Sequence, residues 1–310
     1  MILFVLVPAS ASARDLFVVC QDEAALVRFD TMRGEVTGRV SLPPKPAMIA
    51  PAQEGRLLFV THPESGQVTR LEVANLGAQR SLAVGGTPFG IAAAADGRVL
   101  YVGDWKANVV RKLDAETGAA LTETPVGREP TGVALNARRG RLFVANRESR
   151  SVTVIEIDSM HSTKQVEVGE GPFAAALDVA RDRLFVANVR SGDVTVIDTA
   201  TESVVGKIPV GGAPYGLAVD PESNRVLATN QHGDRVSIID ATNLRVRGTV
   251  AVGRYPEAVA ISNGKAYVAN WFSGDLSILD PAGGRQAAAA VKLCEGPRSM
   301  AFAGVGDAHE

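Results

Sequence analysis

Leu184-Phe185-Val186-Ala187-Asn188, Val194-Thr195-Val196-Ile197-Asp198 and Val210-Gly211-Gly212-Ala213-Pro214 follow one another in a single stretch, and the whole chain repeats that stretch. Its proline recurs as Pro46, Pro88, Pro130, Pro172, Pro214, Pro256 and Pro297, at five steps of 42 residues and one of 41. After six of these prolines comes an apolar run ending in a small or polar residue: Leu58 to His62, Leu100 to Asp104, Leu142 to Asn146, Leu184 to Asn188, Val226 to Asn230 and Ala266 to Asn270. The seventh copy, Leu16 to Cys20, precedes them all. A third anchor is an acid closing the next run, at Asp30, Glu72, Asp114, Glu156, Asp198, Asp240 and Asp280. A period of 40 to 45 residues with strand-like content is the signature of propeller blades.

Each repeat supplies an inner strand after the proline, a second strand, a third ending at the acid, and a fourth such as Val204 to Val210. The expected fold is therefore all-β, a seven-bladed β-propeller of four-stranded antiparallel blades. Near-continuous apolar runs suit strands covered on both faces by neighbouring blades. Pro297 opens an inner strand through Phe302, after which the chain has no room for three more, whereas residues 14 to 42 hold three strands without an inner one. The last blade is thus expected to close when the N-terminal strands pair with the C-terminal strand, leaving no loose sheet edge.

Bulk properties agree. Hydrophobic residues make up 46% of the 310, aromatics 5%, and the formal charge is -2, so no global field draws the protein to nucleic acid or an acidic membrane. Met1 to Val7 are apolar and run into Pro8-Ala9-Ser10-Ala11-Ser12-Ala13. That pattern fits a secretory h-region with a small-residue cleavage site, although no Lys or Arg precedes it. Residues 1–13 are read as a signal peptide with its n-region missing, residues 14–310 as a single propeller, and the protein as periplasmic or secreted with no membrane insertion. The only cysteines, Cys20 and Cys294, fall at the same rim of the composite blade, as a disulfide across the seam or as two free thiols.

Val210 to Gly216, Leu184 to Asn188 and Val194 to Thr201 resemble the YVTN-type propeller repeat, a resemblance that covers essentially the whole chain after the leader. That family is similar in fold to the propeller subunits of bacterial amine dehydrogenases and to periplasmic and surface-layer propellers. The resemblance implies a non-enzymatic scaffold, binding a protein or ligand, accessory to a quinoprotein or cytochrome redox system. It transfers no catalytic residue and implies no cofactor.

Positions shared by all copies are explained by folding. The series Asn146, Asn188, Asn230 and Asn270 is expected to satisfy backbone groups of a nearby turn, and the strand-ending acids to form turns. Function should lie where the copies differ. The residues after the prolines, Ala47, Phe89, Thr131, Phe173, Tyr215, Glu257 and Arg298, are expected to ring the channel mouth, as a small-molecule seat or as a packing plug. The loop position after each second strand reads Gln21, Pro63, Trp105, Arg147, Val189, Gln231 and Trp271, which holds both tryptophans. With Lys106, Arg128, Arg150 and Arg190 nearby, it is expected to form a docking face for a partner, or else a solvated rim. No nucleophile elbow, phosphate loop or haem-attachment motif occurs, and the four histidines have no metal-ligand spacing. His62, Asp104 and Glu257 stay open as donors to a rim metal. The rival to the scaffold is a lactonase-like propeller enzyme working at the mouth through Glu257 and Arg298. The chain is expected to act as a monomer or as one subunit of a hetero-complex.

Overall fold

A computed structural model describes residues 15–303, and the leader expected over 1–13 lies outside the described residues. Seven antiparallel sheets follow one another around a ring. The fourth is typical: inner strand Pro172–Asp178, then Arg183–Asn188, Asp193–Asp198 and Ser203–Pro209, each hydrogen-bonded to the next. Six inner strands begin at the repeated proline itself; only in the first blade does the strand, Ile49–Ala52, start later. A proline has no N–H for a ladder, so the first strand position is one place where it costs nothing.

The apolar runs serve two cores at once, because successive side chains in a strand point to opposite faces. Leu184 and Val186 pack toward the third blade, and Phe185 between them packs toward the fifth. Seven such clusters lie between neighbouring blades among the described residues. The seventh blade is composite: Pro297–Ala303 pairs with Asp15–Cys20, which pairs with Ala25–Asp30 and then Glu35–Ser41. Its register puts Leu16 opposite Phe302 and Val18 opposite Met300. Cys20 and Cys294 are joined in a disulfide across this seam, with Cα atoms 6.0 Å apart.

Inner strands of adjacent blades nearly touch around the axis. A Cβ placed on Gly90 would stand 1.7 Å from the Thr131 carbonyl oxygen, and one on Gly216 would stand 2.2 Å from that of Glu257. Hydroxyls also span such gaps: Thr61 Oγ1 of the first blade donates to the Phe89 carbonyl of the second at 2.8 Å, and Thr229 Oγ1 of the fifth to the Glu257 carbonyl of the sixth at 3.0 Å. These contacts fix the backbone of the residues that face the channel mouth.

The strand-ending aspartates form turns as expected. Asp198 Oδ1 accepts from the N–H groups of Ala200 and Thr201, and Asp114, Asp240 and Asp280 repeat the arrangement. The asparagines correct the expectation made for them. Asn146 and Asn188 are fully buried, and their Nδ2 atoms donate to side chains of the third strand: Ser151 and Thr153, Asp193 and Thr195. The reason is depth, since the residue ends a core strand rather than standing in the turn. In the second blade Asp104 replaces the asparagine and takes both roles, accepting from the N–H groups of Thr87 and Ala107 and pairing with Arg111 at 2.7 Å.

Candidate site at the channel mouth

The expected ring and the expected loop positions converge on one cavity of about 750 Å³. Phe89, Phe173, Tyr215, Glu257 and Arg298 line its floor, and Gln21, Pro63, Trp105, Arg147, Val189 and Gln231 its wall. Ala47 and Thr131 lie beneath, fully buried, with the Thr131 hydroxyl bonded to the Ala145 and Pro172 carbonyls. Phe173, Tyr215, Glu257 and Arg298 also line a smaller space of about 190 Å³ further down the channel, so they form the layer that separates the two.

One side of the funnel is aromatic. Tyr215 stacks on Phe173 with centroids 3.9 Å apart, Phe173 meets Phe89 edge-on at 5.9 Å, and Phe89 meets Trp105 at 4.9 Å. The other side is polar. Arg298 donates from Nη1 to Gln21 Oε1 at 3.1 Å and from Nη2 to the Tyr215 hydroxyl at 3.2 Å. Its guanidinium lies 5.5 Å from the Phe89 ring and 5.6 Å from the Trp271 ring, both cation–π distances. Among the described residues no carboxylate stands within ion-pairing distance of it, and its Nε has no partner.

Glu257 is 5% exposed. Its Oε1 accepts from Gln231 Nε2 at 3.1 Å, while Oε2 is unpartnered. Burial raises the carboxyl from its ordinary 4.5 to about 7, against the opposing pull of Arg298 and with a smaller push from Asp22. Burial also pushes the Tyr215 phenol up, so the hydroxyl stays protonated.

The residues expected on the docking face divide between the funnel and the exposed rim. Trp105 and Trp271 are half-buried: Trp105 packs into the aromatic side of the funnel, and Trp271 lies under Arg298 and lines a shallow neighbouring depression with Cys294. Lys106, Arg128 and Arg190 are exposed outside the funnel. The basic residues are largely neutralised by neighbours: Arg147 pairs with Glu129 at 3.3 Å, Arg150 with Glu170 at 3.0 Å, Arg190 with Glu148, and Arg128 donates to the Glu148 carbonyl. His62 and Asp104 do not join Glu257. His62 is buried against Thr69 and Asp104 against Arg111, each inside its own blade. No group of three or more His, Cys, Asp or Glu among the described residues is arranged to hold a metal.

Sequence reasoning missed Tyr255 and Lys45 as lining residues. Both precede a blade proline with φ of 58° and 51°, a conformation that favours glycine, and Gly171 and Gly296 occupy the matching positions of other blades. A large side chain standing where two sister repeats keep glycine was the available signal.

The model of the YNCE-like beta-propeller family matches residues 9–181, more than half of the chain. The chain belongs to this family. Among solved structures, it is similar to a functionally unknown protein from Desulfotomaculum acetoxidans DSM 771, at 14% identity and a TM-score of 0.80, covering 94% of this chain and 99% of that one. It is similar to dihydro-heme d1 dehydrogenase NirN, solved in complex with DHE, at 16% identity and 0.69, covering 93% and 74%. A third likeness is to Kuenenia stuttgartiensis hydrazine synthase, at 18% and 0.54, covering 76% and 95%. At these identities the likeness is one of fold. No curated protein matches the chain in sequence. No helix among the described residues is long and apolar enough to cross a membrane.

Proposed function

We propose that this YNCE-like propeller is an exported, non-enzymatic binding protein whose ligand seat is the funnel at the channel mouth. The observation that carries the reading is the pairing, in one cavity, of an aromatic wall with buried polar groups left unpartnered, Arg298 Nε and Glu257 Oε2. An unmet buried group costs about 1–3 kcal/mol, and whereas the unpartnered Oδ1 atoms of Asn146, Asn188, Asn230 and Asn270 end core strands, these two belong to residues that line the funnel. Function at this mouth is also where the repeat is broken: the seven post-proline residues are all different except for two phenylalanines. Export is supported by the Cys20–Cys294 disulfide, which persists in oxidising compartments. The accessory role beside a quinoprotein or cytochrome rests on the resemblance to amine-dehydrogenase propellers.

A second reading, a lactonase-like enzyme at the same mouth, draws on the Glu257 carboxyl near 7, where a general acid or base works best. One experiment separates them. The purified protein is screened against a library of small metabolites of mixed charge by tryptophan fluorescence, and each hit is recovered and weighed by mass spectrometry. Saturable binders recovered unchanged are expected; converted hits would make the protein an enzyme, and a library without hits would remove the ligand seat.

A further inference from the structure

We infer that the funnel selects a small organic anion with a flat aromatic body, its carboxylate held by Arg298 and its ring against the Phe89, Phe173, Tyr215 and Trp105 wall. This rests on the reading of the mouth as a ligand seat and names the chemistry that the seat prefers.

The electrostatics of the lining favour an anion. Lys45, Arg147 and Arg298 are the lining Lys and Arg side chains, beside Glu64 and Glu257, so the preference turns on which cation is already paired. Lys45 is held by Asp22 at 2.9 Å and Arg147 by Glu129 at 3.3 Å, which leaves Arg298 as the lining Lys or Arg without a carboxylate of its own. A guanidinium has five N–H donors and no acceptor, and only two of those of Arg298 are used, on a glutamine oxygen and a phenol oxygen. Neither partner neutralises it.

The cation is also held still. The Gln21 and Tyr215 bonds fix two edges, and the Phe89 and Trp271 rings lie at 5.5 and 5.6 Å. A held guanidinium loses little further freedom on meeting a carboxylate, and the bond is charge-assisted on both sides. Beside it Tyr215, Phe173, Phe89 and Trp105 form one packed apolar cluster, with Phe89 and Phe173 only 7% and 6% exposed, so a ligand ring meets chiefly the half-buried Tyr215 and Trp105. Glu257, with its unpartnered Oε2, sets the other limit: an anion approaching Arg298 is tolerated next to a protonated carboxyl and repelled by an ionised one. The groups facing Glu257 are Gln231 and Tyr215 from the fifth blade, Tyr255 just before the sixth blade's proline, Arg298 from the seventh blade and Asp22 from the turn after Cys20.

Trp105 lines this site and Trp271 lies against Arg298 behind it, so quenching of intrinsic fluorescence reports on ligand binding there. The test titrates three probes of one shape, phenylacetate, phenylacetamide and 2-phenylethylammonium, into wild type, Arg298→Lys and Arg298→Met. Wild type is expected to bind phenylacetate at least tenfold more tightly than the amide. Arg298→Met should lose that ratio and Arg298→Lys should keep part of it, with the near-ultraviolet circular dichroism of both variants matching wild type to show that the mouth is still formed. Equal affinities for the three probes, or a ratio that survives in Arg298→Met, would overturn the anion preference while leaving the seat. A preference for the ammonium would do the same. Absence of quenching by all three overturns the anion preference, and the seat falls with it only if the metabolite library is also silent.

Discussion

Replacing Glu257 by glutamine should stabilise the protein, by an amount that grows as pH rises from about 4.5 to about 7 and is constant above that. The carboxyl is 5% exposed and burial lifts it from 4.5 to about 7. The native state therefore holds its proton more tightly than the unfolded chain does, and between those two values native molecules carry more protons than unfolded ones. Stability contributed by this group is full below pH 4.5 and declines as pH rises through 7. The lost amount is about 3 kcal/mol, from about 1.4 kcal/mol for each tenfold change in proton affinity. Glutamine keeps an oxygen to accept from Gln231 and never ionises, so it should escape the loss. Urea unfolding followed by circular dichroism at pH 4 and pH 8 measures it: the variant and wild type should nearly coincide at pH 4 and separate by roughly 2–3 kcal/mol at pH 8, with the slope against urea unchanged. A gap of the same size at both pH values would show that Glu257 is solvated in solution, and the account of the funnel floor would fall with it.

Removing the seam disulfide with Cys20→Ala and Cys294→Ala should cost up to about 5 kcal/mol, because it ties residues 274 apart, and should lower the melting temperature by roughly 10 °C. Hydrogen exchange should quicken first in Asp15–Cys20 and Pro297–Ala303; a loss spread evenly over the seven blades would contradict the seam as the weak point. Gly90→Ala should destabilise by about 1–3 kcal/mol, since its Cβ meets the Thr131 carbonyl, and calorimetry finding no change would mean the inner strands are further apart than described. Asp104→Asn alone leaves Arg111 without its buried partner, whereas Asp104→Asn with Arg111→Thr recreates the Asn146–Thr153 pairing of the next blade. A double-mutant cycle by urea unfolding should show coupling of at least about 1 kcal/mol, and additive losses would refute the pairing.

The repeat made the fold readable because it operates over the whole chain: seven prolines in step require seven equivalent units, and the uneven ends leave a composite blade as the way to complete the last one. The ring of post-proline residues was readable for the same reason, since equivalent positions in a ring face the same axis. What remained hidden was side-chain direction. Trp105 and Trp271 occupy a variable loop position, and sequence cannot tell a loop residue that points outward from one that folds over the mouth; the choice is made by Phe89 and Arg298, which come from other parts of the chain. The orphaned Oε2 of Glu257 was hidden too, because whether a carboxylate finds a partner depends on residues from three blades meeting. The buried asparagines show the limit of local reasoning: their type suits a turn, but their depth in the core turned Nδ2 toward the next strand.

Because Glu35–Ser41 belongs to the same sheet as Pro297–Ala303, about 260 residues must be made between them. At a synthesis rate of ~5–20 residues per second, the first three strands wait roughly 13–50 s for the neighbour that completes their sheet. The order of manufacture is thus opposite to the order of assembly at this point, and every nascent molecule passes through a stage with an open flank. A circular permutant that begins at Pro297 and runs on into Asp15 would make that sheet first, and its yield on refolding would report how much the delay costs the natural chain.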